Sequence, residues 1–148
     1  LGFTGERPDK AWKEGPDNLW ALREGEYLLI ECKSEVKLDR SEIHKSESEQ
    51  MNRSSAWFAK HSKGAKVKRV MIIPTKKVNR AAAFIDEVEV MRANALSKLQ
   101  RNLKAFFCEF ESLDFLSISE SKIQQLLDIH GLGVEDLTSQ YSEKVREF

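Results

Sequence analysis

The segment EGPDNLWALREGEYLLIECKS, Glu14 to Ser34, carries the pattern on which the reading of the chain turns. Two short apolar runs, NLWAL and EYLLIECK, flank the polar step REGE, which contains Gly25. Such runs around a glycine predict a β-hairpin with Gly25 in its turn. The charged residues gather at the open end of that hairpin. Asp17 follows a Gly-Pro pair, and Tyr27-Leu28-Leu29-Ile30 leads straight into Glu31-Cys32-Lys33. Side chains two apart on a strand share a face, so Glu31 and Lys33 project together and Cys32 projects to the other side. With the hairpin paired, Asp17 comes alongside Glu31. Two carboxylates and the Cys32 backbone carbonyl then make an all-oxygen nest suited to a hard divalent cation, Mg²⁺ first and Mn²⁺ as a substitute. The Lys33 ammonium beside that nest would hold a water or hydroxide and counter developing negative charge. In a solvated cleft, these parts fit metal-assisted hydrolysis of a phosphodiester.

Outward from the hairpin, the first sixteen residues are broken by Gly2, Gly5, Pro8, Gly15 and Pro16 and read as irregular. KSESEQMNRSSAWFAKHS has few β-branched residues and sets Met51, Ser55 and Phe58 on one helical face, with Gly64 as its stop. VKRVMIIPT predicts a strand stopped by Pro74, then a short helix over 79–84 and a short strand near EVEVM. From Asn94 the spacing turns helical, with Leu96, Leu99, Leu103, Phe106, Phe107 and Phe110 as a core-facing stripe. ISESKIQQLLDIHG predicts a further helix, with serines at its start and Gly131 in the left-handed cap, and VEDLTSQYSEKV a last short one. The fold class that follows is α/β, a mixed sheet with a helical C-terminal extension.

Length and composition fit one globular domain over residues 1–148, with a core over about 15–92 and a helical part over about 93–148. No apolar run approaches the roughly 20 residues that span a bilayer, so no membrane partner is expected. Cys32 and Cys108 read as free thiols in a reducing cytoplasm, and neither they nor His44, His61 and His130 have metal-ligand spacing. No phosphate-binding loop or zinc-protease helix motif occurs. The formal net charge is zero, but its distribution is uneven. Residues 60–80 carry eight Lys or Arg and no acid, whereas residues 109–148 carry nine acids against three Lys or Arg. A basic face can hide inside such a neutral total. The start at Leu1 rather than Met reads as a domain cut from a longer protein.

GPD at Gly15–Asp17, followed by IECK at Ile30–Lys33, resembles the PD-(D/E)xK nuclease superfamily. GPDNLWAL, IECKS and HKSESEQMNRSSAWF together are similar to nuclease-like domains at the C-termini of bacterial helicases. The resemblance covers about Gly15 to Pro74. It implies a restriction-endonuclease-like mixed sheet flanked by helices in the order αβββαβ, with Asp17 and Glu31 as metal-binding acids and Lys33 as the catalytic lysine. It also implies a polar helix residue facing the site. Gln50 matches that position best, with Lys45 and Glu47 nearby and with Ser54 and Trp57 one turn on along the same face. Some branches of the family place a tyrosine four residues after that glutamine, where this chain has Ser54. The family helix before the aspartate strand has no good counterpart here.

The leading expectation is a cytoplasmic Mg²⁺-dependent deoxyribonuclease domain attached to a helicase, of open oligomeric state. Asp17, Glu31, Lys33 and Gln50 would form its catalytic group. Lys45, Lys63, Lys66 and Lys68 would contact DNA, the last three as a phosphate-tracking edge of the active face. The alternatives are a nuclease-fold module that holds DNA without cutting it, and a protein-interaction domain in which the motif is coincidence.

Overall fold

The computed structural model describes residues 4–33, 36–37, 39–112 and 117–147. Leu1 and Ser34 lie outside them. Six strands form one sheet in chain order, β1-β2-β3-β4-β5-β6. β1 (Thr4–Glu6), β2 (Asn18–Arg23) and β3 (Glu26–Cys32) are antiparallel, and β3, β4 (Lys66–Ile72) and β5 (Glu89–Met91) are parallel. β6 (Glu143–Lys144) closes the far edge antiparallel to β5. The hairpin forms where the apolar runs place it, and Gly25 takes φ +68° in its turn.

β3 is buried along both faces, which explains its near-continuous apolar run. On one face Leu29 packs with Met51 and Phe58 of α2 (Lys45–His61), with Met71 and with Val90. On the other, Leu28 and Ile30 pack with Leu99 and Phe106 of α3 (Ala93–Glu109), Leu126 of α4 (Glu120–Ile129) and Leu137 of α5 (Val134–Ser139). The result is an α/β chain, a mixed sheet between helices.

Tyr141 anchors the second layer. It is fully buried, its hydroxyl donates to the Gly131 carbonyl at 2.6 Å, and it accepts from the Asn102 amide at 2.7 Å. Tyr141→Phe leaves both partly buried partners without that bond. The expected loss is about 1–3 kcal/mol. It should be read as a lower urea midpoint at unchanged slope.

Six expectations from the sequence need correction. The first residues are not wholly irregular: β1 pairs with β2, and Pro8 opens a four-residue helix, α1 (Pro8–Ala11), where its missing N–H costs nothing. Residues 79–84 are not helical. Their amides bond elsewhere, Ala81 to the Asn79 side chain at 3.0 Å and Ala83 to the Ser48 hydroxyl of α2 at 3.3 Å. α2 ends at His61, before Gly64, whose φ of +80° serves the turn into β4. Phe107 leaves the apolar stripe and is 57% exposed, because it lies 100° around the helix from buried Phe106. The end of the last predicted helix is instead β6. One strand also precedes α1 and only two separate it from α2, which differs from the order αβββαβ.

Candidate active site

The hairpin register pairs Asn18 with Ile30, which sets Asp17 opposite Glu31 at the strand ends. Asp17 Oδ2 accepts the Cys32 amide at 2.7 Å. Alternation puts Glu31 on the α2 face beside Leu29, while Cys32 packs in the opposite layer. α2 then supplies two residues one turn apart, which share a face. Ser54 Oγ donates to Glu31 Oε1 at 2.6 Å, and Gln50 Nε2 donates to Glu31 Oε2 at 2.7 Å. Lys33 Nζ lies 3.4 Å from Glu31 Oε2 and donates to Gln50 Oε1 at 2.5 Å. Gln50 thus bridges acid and base, its oxygen toward the cation and its amide toward the anion. The structure brings Asp17, Glu31, Lys33 and Gln50 together.

The group is more enclosed than a solvated cleft. Glu31 has 0% exposed surface and the Lys33 side chain 10%. Burial pushes the Glu31 carboxyl above its ordinary value, and the Asp17 charge adds to that. The Ser54 hydroxyl and Lys33 pull the other way. Burial, then the Asp17 and Glu31 charges, likewise push the Cys32 thiol up, so sulfur there stays protonated at neutral pH.

The donor types suit a hard divalent cation. Both Glu31 oxygens are already engaged by Ser54, Gln50 and Lys33, so an ion would have to compete with them. Asp17 and Glu31 offer only oxygen on one face, the thiol is turned away, and Cys32 presents its carbonyl on the same strand edge as the amide that Asp17 holds. Among the described residues no three His, Cys, Asp or Glu side chains converge. Two carboxylates and that carbonyl are therefore what this chain would give an ion.

The expected DNA-contacting lysines are not brought to this group. Lys66 pairs in register with Glu26, five residues along the strand from Glu31, or about 16 Å. Lys63 precedes it. Lys68 lies opposite Leu28 on the far face and is bonded to Glu89 at 2.5 Å. Lys45 opens α2, exposed, 3.7 Å from Glu49. The segregated charge along the chain is partly spent within the fold. Lys76 and Arg92 converge on Glu143, Arg69 pairs with Asp86, and Lys77 with Glu42.

A cleft of about 440 Å³ opens beside the group, between the Lys13–Gly15 turn and the Gln50–Trp57 face of α2. Gly15 makes that approach feasible. Its φ is +91°, and a β-carbon there would lie 2.8 Å from the Trp57 ring and 2.9 Å from Pro8. Gly15→Ala is expected to cost about 2 kcal/mol or more, through strain and collision together, and to lower the melting temperature accordingly. Sequence reasoning left Ser54 without a role, although its spacing from Gln50 was the available signal. It gave no place to Trp12, which reaches this face only through the tertiary fold. Compared with family models, with curated proteins and with solved structures, the chain matches none.

Proposed function

We propose that this chain is a Mg²⁺-dependent deoxyribonuclease domain of the PD-(D/E)xK type, with a restriction-endonuclease-like fold. The observation that carries the reading is the meeting of Glu31 and Lys33 on Gln50 at the end of a central strand, with Asp17 bonded to the Cys32 amide between them. Asp17, Glu31 and the Cys32 carbonyl would hold the ion. Mg²⁺, when bound, supplies Lewis-acid polarisation and a more acidic water. Lys33 has three N–H donors, of which Glu31 and Gln50 engage two. The third is left for a water and for charge building on the phosphate oxygens. Gln50 fixes the ammonium, and Ser54 fixes the carboxylate. In the reaction, water oxygen adds to phosphorus and one P–O ester bond breaks, giving a phosphate monoester and a hydroxyl. A cytoplasmic location, which rests on the two free cysteines, and attachment to a helicase, which rests on the sequence resemblance, belong to the same proposal. No helix among the described residues is long and apolar enough to cross a membrane.

A second reading, a nuclease-like module that holds DNA without cutting it, is favoured by the closure of Glu31. Both its oxygens have protein donors. Incubation with supercoiled and linear DNA separates the two. The first reading expects cleavage with Mg²⁺ or Mn²⁺ and none with EDTA. DNA retention without cleavage under any metal supports the second.

A further inference from the structure

One face of α2 leads from the candidate site into a stack of rings. Gln50, Ser54, Trp57 and His61 follow at helical spacing. The Trp57 ring stacks on His61 with centroids 4.3 Å apart, and Trp12 stacks on Trp57 at 5.5 Å. Trp12, outermost, is 55% exposed. The backbone is bent to place it there. Lys13 holds φ +59°, a conformation that non-glycine residues rarely adopt, and Gly15 follows at +91°. Strain of that kind persists only where its surroundings enforce it. Two cations, Lys13 and Arg53, line the adjoining cleft. Among the described residues neither has an ion-pair partner, and Glu14 is the one acid lining the cleft.

A half-exposed indole beside cations without ion-pair partners among the described residues matches an unpaired base with its phosphate. In a duplex the base faces are covered by their neighbours, so a flat indole finds nothing to stack on. Trp57 lies seven residues from Gln50, about 10 Å along the helix. That is about three stacked nucleotides at 3.4 Å each. We propose that the Trp12–Trp57–His61 stack, with Lys13 and Arg53, is a platform for the unpaired bases of a single DNA strand that enters the cleft at Gln50 and Ser54. The proposal rests on the nuclease reading for what happens to that strand, but the platform itself can be tested without cleavage.

The test follows binding by anisotropy of a fluorescein-labelled twelve-residue oligothymidylate, and of a twelve-base-pair duplex, both in EDTA. Trp12→Ala should weaken oligothymidylate binding roughly five- to a hundredfold, the range that loss of one base–aromatic stack gives. Duplex binding should change less than twofold. Trp12→Phe, which keeps a ring, should restore most of the loss, and oligothymidylate should quench wild-type tryptophan fluorescence. Equal oligothymidylate affinity in wild type and Trp12→Ala overturns the platform, as does no binding by wild type. The same preparations are then assayed for Mg²⁺-dependent cleavage. Trp12-dependent binding without any cleavage upholds the platform and removes the nuclease reading. Lys33-dependent cleavage with Trp12-independent binding does the reverse.

Discussion

Lys33→Ala is expected to lose DNA cleavage by on the order of 10²–10³-fold, the cost of deleting one donor aimed at developing charge. Its Nζ is held by Glu31 and Gln50, so the ammonium is already oriented before substrate arrives. The variant should also melt lower than wild type, because Lys33 is nearly enclosed and Glu31 is entirely so. Removing the cation leaves a buried carboxylate with Ser54 and Gln50 alone. The loss of stability should be about 1–3 kcal/mol. Cleavage must therefore be measured well below the variant's own melting temperature. Wild-type cleavage rates in a folded Lys33→Ala protein would end the nuclease assignment. Asp17→Asn is expected to lose cleavage as well, since it removes one anionic ligand while keeping a carbonyl oxygen to accept the Cys32 amide.

Glu31→Gln is expected to separate function from stability in opposite directions. Glutamine fits the same space: its oxygen can accept from Gln50 and Lys33, and its amide can donate to Ser54. What disappears is a fully buried negative charge. Burial first, and Asp17 next, raise the folded-state pKa of this acid above the 4.5 of its exposed form. For an acid shifted upward, the sign is the reverse of the usual carboxylate case. The ionised form costs stability above the folded pKa, and protonation restores that stability as pH falls toward 4.5. Glu31→Gln should therefore melt above wild type at pH 8, with the gap narrowing toward pH 4.5. About 2–4 °C is the shift that ~1 kcal/mol gives in a domain of this size. In the same protein, calorimetric Mg²⁺ binding should weaken and cleavage should fail, because one anionic ligand is gone. A lower melting temperature at pH 8, or a gap indifferent to pH, would show that Glu31 is held for structure. A stabilising change that abolishes activity is the mark of a residue kept for chemistry.

Much of this was legible because the central hairpin obeys local rules. A strand period of two fixed which of Glu31, Cys32 and Lys33 share a face. The register that sets Asp17 opposite Glu31 also depends on a β-bulge between Ala21 and Arg23, which shifts the pairing by one residue from the turn at Gly25 and which no local pattern announces. Gln50 rests on the family resemblance, and helical period adds only that Ser54, one turn on, shares its face. The closure of Glu31 was not legible, since it depends on α2 lying against the strand end. The coil at 79–84 was misread for a similar reason: amides that a local reading would assign to a helix are taken by Ser48 and by Asn52, which accepts from Ile85 at 3.1 Å. A two-residue strand such as β6 has no period to detect. Lys68 counted as an available cation in sequence, yet the alternation of β4 sends it to the far layer and to Glu89.

The strand order equals the chain order, and this has a consequence for biosynthesis. A chain emerging from the ribosome can pair β1, β2 and β3 as each appears, then add β4 once α2 has crossed over. β5 follows, but its outer edge stays open until Glu143 and Lys144 arrive, some fifty residues later. During that interval a short apolar edge strand waits for its cover, and such edges invite pairing with other nascent chains. β5 is only three residues long, and Glu87 before it and Glu89 within it supply charge. Glu87 later binds Lys144 of β6, so a charge that guards the edge while it is open becomes part of the seam when it is shut, whereas Glu89 is bonded to Lys68 of β4 on the inner side.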